Sequence, residues 1–169
     1  SVWRDPMRTA LLSLTNQRHA QHNRNVFHLE PDIKDAPGGL RDATALRLLR
    51  NLNNRDTLDR AYVDIGRIDE AEDFMLRLRS ILHMERGRNL NTLNHELQET
   101  VANVFGSPGG HPRSQVEALM STYFHHAQLI SRSLATALKS AAAPTHSNVT
   151  KIGEDLEQSW DGIRFIDGT

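Results

Sequence analysis

Apolar residues recur at three- and four-residue spacing through most of the chain, the period of helices that bury one face. Asp5-Pro6 reads as a helix start, because proline's fixed φ and missing N–H suit a first turn. Met7, Leu11, Leu14 and Arg18 then share a face, and the polar run Gln21 to Asn25 frays this helix. Val26 to Gly39 is a loop punctuated by proline and glycine, with a short extended piece at Val26–Leu29. A second helix places Leu40, Thr44, Leu48 and Leu52 on one stripe, supported by Ala45 and Leu49, and Asn53-Asn54 ends it. Thr57 caps a short third helix to Val63 or Ile65, which Gly66 stops.

The clearest amphipathic run is the fourth, with Ile68, Ala71, Met75, Leu78 and Leu82 stepping by three and four beside Phe74 and Ile81, up to Gly87. A fifth helix covers Asn91 to Phe105 with Leu93, Leu97, Val101 and Val104 inward. The loop Gly106 to Pro112 opens the longest helix, lined on one side by Val116, Leu119, Met120, Tyr123, Ala127, Ile130, Leu134 and Leu138. At about 1.5 Å per residue it reaches roughly 40 Å, the length of a whole bundle. Ala141 to Asn148 reads as a linker, and Ile152 to Thr169 is weakly helical to Trp160 and then turn-rich. No segment alternates long enough for a strand. The fold class is all-α: a bundle of five or six helices with one Pro/Gly-rich loop, as a helical domain over 1–140 followed by a linker and lead-in over 141–169.

Composition narrows the function classes. The 169 residues suffice for one sizeable core, and a formal charge of −1 offers no basic field for nucleic acid. No apolar run approaches the roughly 20 residues of a membrane helix. The absence of cysteine excludes disulfides and thiolate metal sites and fits a cytoplasmic location. The nine histidines form no metal pattern. His19 and His22 lack an acid at ligand spacing, His95-Glu96 lacks a second histidine three residues on, and His125-His126 point to different helix faces. His83, His95 and His126 read as hydrogen-bonded helix residues. Arg77, Arg79, Arg86 and Arg88 suit the C-terminal helix dipole and pairing with Glu70, Glu72 and Asp73, or the docking of a partner.

Candidate chemistry concentrates in Glu30-Pro31-Asp32-Ile33-Lys34-Asp35-Ala36-Pro37-Gly38-Gly39-Leu40-Arg41-Asp42, which sets two prolines, two glycines and six charged residues before a helix. Proline fixes φ and glycine releases it, so the segment is a shaped bend. Gly38-Gly39 at a helix N-terminus exposes N–H groups where the dipole is positive, and Lys34 and Arg41 add donors toward phosphates. Four carboxylates against two cations leave a formal −2, unlike a simple phosphate cradle. They suit holding Lys34 and Arg41 in orientation, or binding a ribose hydroxyl. The plainer alternative is structural: Asp42 complements the dipole and Pro37 sets the entry to the helix.

This bend resembles the Glu-Pro-Asn-hydrophobic-Lys-acidic-small-Pro-Gly-Gly-Leu-Arg-Asp signature of PII uridylyltransferase/uridylyl-removing enzymes. Four further stretches are similar to that family in the same order: Phe74 to His83, Arg86-Gly87-Arg88 with Leu93 to Gln98, Tyr123 to Ala127, and Trp160 to Gly168. Departures are Asp32 where the family usually has Asn, Ala36 where it has Gly or Ser, and Asn94-His95-Glu96 for Asp-His-Gln.

The resemblance implies the helical domain between a nucleotidyltransferase domain and a His-Asp domain. Its nucleotide-site loop is Lys34, Gly38, Gly39, Arg41 and Asp42, with no catalytic residue and no metal ligand of its own. No Asp-x-Asp follows Gly106-Ser107 and no His-Asp dipeptide occurs, so the segment alone is expected to be inactive. Mg²⁺, UTP and the PII protein belong to the parent enzyme, with no nucleic acid or membrane partner. Two alternatives are a helical protein-interaction module and the equivalent domain of a glutamine synthetase adenylyltransferase-like enzyme. The Glu-Pro-x-Ile-Lys lead-in and the Trp160 to Gly168 tail favour the first reading.

Overall fold

The computed structural model describes residues 3–52, 64–86, 90–106 and 111–142. Among them lie five helices: α1 (Arg4–Gln21), α2 (Leu40–Leu52), α3 (Ile65–Arg86), α4 (His95–Phe105) and α5 (Pro112–Ala142). The described residues hold no strand, only an isolated antiparallel bridge between Asp32 and Thr92. The all-α bundle is therefore as expected. The sequence's third helix, Thr57 to Val63, and its linker and tail from Ala143 onward lie outside the described residues.

α5 organises the bundle. Its 31 residues span about 46 Å at 1.5 Å each. α2, α3 and α4 all pack on it, while α1 rests mainly on α2. Leu119, Tyr123, Ala127, Ile130, Leu134 and Ala137 are buried along it, which matches the expected stripe. α3 supplies Ile68, Ala71, Met75, Leu78 and Leu82 to the same core, again as the spacing predicts.

Three expectations fail for identifiable reasons. On α2 the buried arc is Asp42, Ala43, Ala45, Leu46 and Leu49, whereas Thr44 is exposed and Leu48 is 45% exposed. A strict four-residue step drifts by about 40° per repeat, so the stripe from Leu40 to Leu52 wanders off the face that α5 covers. Gly66 stops nothing: it lies in the first turn of α3, where the Asp64 side chain accepts a hydrogen bond from the Arg67 amide at 3.2 Å. α4 begins at His95 rather than Asn91, because the Asn94 side chain caps it by accepting from the Leu97 amide at 3.0 Å.

α1 differs more subtly. Met7 and Leu14 are exposed, and Thr15 is its one buried residue. It does not fray at its end. Asn23 and Arg24 both adopt φ of 53°, and the Arg24 amide donates to the His19 carbonyl at 2.8 Å, closing the last turn.

Candidate functional site

The bend before α2 is folded into the bundle. Pro31, Ile33, Ala36, Pro37, Gly38, Gly39 and Leu40 are all buried, and Ile33 is part of the hydrophobic core. Its first half pairs with residues 91–93: the Ile33 amide donates to the Asn91 carbonyl at 2.9 Å, and the Leu93 amide to the Pro31 carbonyl at 2.9 Å. Glu30 adds a side-chain link by accepting from the His95 amide at 2.9 Å, and the Gln98 side chain donates to the Leu29 carbonyl at 2.7 Å.

The N–H groups expected to face a phosphate are spent inside the protein. Gly39, Leu40 and Arg41 donate to the carbonyls of Ala36, Ile33 and Lys34 at 2.9, 3.0 and 3.0 Å, and the Gly38 amide donates to Asp42 Oδ2 at 2.7 Å. Gly38 takes φ of +81° against the α5 backbone, a conformation that glycine alone adopts at no steric cost. The glycines thus serve close packing and a left-handed turn, and the bend's backbone faces inward.

Asp42 is the electrostatic centre. It is 0% exposed and carries three donors from three places: Gly38 N–H, Arg18 Nη2 at 2.6 Å, and His19 Nε2 at 2.8 and 2.9 Å to its two oxygens. An ionised carboxylate offers no proton, so the fitting histidine form carries hydrogen on Nε2. Burial by itself raises the Asp42 pKa. The hydrogen bonds from His19 and the Gly38 amide, with the charges of His19 and Arg18, outweigh it and hold the carboxyl below its ordinary value. Arg18 also donates through Nη1 to the Asp35 carbonyl at 3.1 Å, so one guanidinium ties the middle of the bend to its last residue.

What the bend turns outward is charged. The Arg41 side chain is 57% exposed and pairs through Nε with Asp35 Oδ1 at 2.7 Å. Lys34 is half-buried. Asp32 Oδ1 accepts from the Lys34 and Asp35 amides at 2.9 and 2.7 Å, an Asx turn that fixes the start of the bend. Arg41, Asp35, Asp32 and Arg18 line a groove of about 680 Å³ together with the apolar Leu11, Leu14 and Leu48. Of the five residues expected at a nucleotide site, Arg41 therefore faces this groove. Lys34 lies outside its lining, and Gly38, Gly39 and Asp42 form the buried support.

Arg18 and His19 are partners of Asp42 that the sequence did not reveal. The one available signal was Arg18 itself, a cation on the apolar stripe of α1. The arginines of α3 also behave differently from expectation. Glu72 pairs with Arg47 of α2 at 2.5 Å, while Arg86 pairs with Glu96, Arg79 donates to the Asn91 side chain at 2.9 Å, and Arg77 lies over the Phe105 ring. Arg88 falls outside the described residues. Among the described residues no three His, Asp or Glu side chains converge as a metal site would require, and no helix is long and apolar enough to cross a membrane.

The sequence profile of the GlnD PII-uridylyltransferase family matches residues 8–138. The chain belongs to that family. A bifunctional uridylyltransferase/uridylyl-removing enzyme of Acinetobacter baylyi is 32% identical over 90% of this chain and 18% of its own length. One from a Psychrobacter species is 35% identical over 72% of this chain and 15% of its own length, and one from Pseudomonas aeruginosa is 29% identical over 68% and 14%. The chain thus spans less than a fifth of the curated relatives it matches. No solved structure matches it.

In this GlnD-family chain three of the five stretches of resemblance meet in space. The bend from Glu30 is stitched to Asn91–Gln98, and Gly38 abuts Ala127 at the end of the Tyr123 to Ala127 stretch. Two departures are accounted for by geometry. Asp32 uses a side-chain oxygen that Asn also possesses, and Asn94 caps α4 as Asp does.

Proposed function

We propose that this chain is the helical domain of a bifunctional uridylyltransferase/uridylyl-removing enzyme, lying between a nucleotidyltransferase domain and a His-Asp domain. It braces the former and supplies the Lys34–Asp42 bend to the edge of the nucleotide site. In the parent reaction a tyrosine hydroxyl of the PII protein attacks the α-phosphorus of UTP. The O–P bond forms, the α–β phosphoanhydride breaks, and pyrophosphate leaves as the phenolic proton passes to a base on the neighbouring domain. Mg²⁺, held there, supplies charge neutralisation on the phosphates.

The observation that carries this reading is Arg41, an exposed guanidinium paired with Asp35 on a bend whose backbone is buried. A cation so held is oriented before the ligand arrives, which favours it as a partner for the departing pyrophosphate. Lys34 adds a second positive charge on the same bend, and Gly38, Gly39 and Asp42 keep it rigid. The family membership supports the enzyme class. The working location is the cytoplasm, and this segment alone turns over nothing.

The test uses the full-length enzyme. Arg41→Ala should lower uridylyl transfer to PII by about tenfold or more, with Lys34→Ala acting in the same direction. Unchanged kinetics in both variants would sink the reading. UTP binding absent from the isolated domain and restored by the adjoining nucleotidyltransferase domain would support it.

A further inference from the structure

We infer that Arg18 and His19 of α1 are positioning residues for uridylyl transfer, acting through the bend that carries Arg41. This rests on the nucleotide-site role of that bend. Arg18 lines the groove beside Asp35 and Arg41 and His19 does not, but the charge of Arg18 is committed to Asp42 at 2.6 Å, so it acts through the bend rather than as a free cation. Arg18, with only 12% of its side chain exposed, spans the bend from the Asp35 carbonyl to Asp42 Oδ1, at 3.1 and 2.6 Å. Asp35 is the residue whose carboxylate pairs with Arg41, at 2.7 Å. The backbone of the residue that orients Arg41 is thus itself held by α1.

His19 Nε2 contacts both oxygens of the same carboxylate, Oδ1 at 2.8 Å and Oδ2 at 2.9 Å, so Asp42 cannot rotate without losing a partner. Leu11 of α1 packs against the core, but toward the bend it is the ionic contacts of Arg18 and His19 that tie the helix down. A planar, forked guanidinium can make both contacts at once, whereas a lysine ammonium at the same place cannot reproduce the fork. A small misplacement of a group that stabilises a transition state costs rate out of proportion to the distance moved.

Arg18→Lys keeps the charge beside Asp42 and removes the double grip. In the full-length enzyme it should lower kcat for UMP transfer by on the order of tenfold, with the KM for UTP moving less than about threefold. Combined with Arg41→Ala it should lower kcat no further, because both changes remove one function. His19→Gln, which retains an N–H donor, should stay within about threefold of the parent enzyme, while His19→Leu should fall with Arg18→Lys. Parent-level kcat in Arg18→Lys, or multiplicative losses in the double variant, would overturn the inference while leaving an Arg41→Ala defect intact. An Arg41→Ala enzyme of full activity would instead remove the nucleotide-site role itself.

Discussion

Gly38 and Ala127 are in backbone contact: a β-carbon at position 38 would stand 2.2 Å from the Ala127 carbonyl oxygen. That approach joins the bend to the middle of α5 and leaves no room for any side chain. The φ of +81° adds a conformational penalty for every other residue.

Gly38→Ala should therefore destabilise the domain by roughly 2–5 kcal/mol, combining overpacking with a strained backbone. Gly66→Ala provides the opposite control. Its added β-carbon would meet nothing closer than Asp64 Oδ1 at 3.5 Å, and it sits within α3. There alanine should stabilise by about 0.5–1 kcal/mol. Urea denaturation of the two variants, read by circular dichroism, checks the opposed signs.

Asp42→Asn should cost about 2–4 kcal/mol near neutral pH, since it leaves Arg18 and His19 facing a neutral group in a buried place. The Asp42 pKa is lowered in the folded protein, so its contribution is complete above the ordinary value of 3.8 and is lost as pH falls through the depressed one. The stability gap between the parent and Asp42→Asn should accordingly narrow as melts are taken from pH 6 down to about pH 3. A gap that stays constant over that range would show that Asp42 is not the charged group.

Leu46 and Leu48 distinguish the two faces of α2. Leu46 is 1% exposed and Leu48 is 45% exposed. Leu46→Ala should cost about 2–5 kcal/mol, and Leu48→Ala less than about 1 kcal/mol. Equal losses in thermal melts would contradict the placement of the helix.

Among the described residues the buried Tyr123 hydroxyl finds no hydrogen-bond partner, and burial, helped by the charge of Asp32, pushes its pKa far up. Its contribution to stability is intact below the ordinary value of 10.0 and is lost as pH rises toward the raised one. In a Tyr62→Phe background, phenolate absorbance should stay absent at pH 10 and emerge together with alkaline unfolding. Tyr123→Phe should remain within about 1 kcal/mol of the parent or exceed it, because no hydrogen bond is given up.

Much of the bundle was legible in the chain. The stripes of α3 and α5 run long enough for three- and four-residue spacing to define a single arc, and the buried residues follow it. The stripe of α2 was misread because its apolar residues fill more than one arc, and only the placement of α5 selects between them. The start of α4 was lost because Leu93 continues the helical period while pairing in extended form with the bend. At the candidate site, proline and glycine announced a fixed bend. They could not announce its direction, since an inward and an outward bend need the same φ angles.

The sequence by itself determined that this protein is helical, which faces of α3 and α5 are buried, and that a rigid turn precedes α2. These are local matters, decided by φ restrictions and by side chains a few positions apart. Tertiary structure alone decided that Arg18, His19 and Asp42 share one buried cluster, that the backbone amides of the bend are consumed internally, and that Arg41 remains at the surface. The reason is distance along the chain. Arg18 and Asp42 lie 24 residues apart, and no local preference brings a guanidinium onto a carboxylate until α1 is laid against α2.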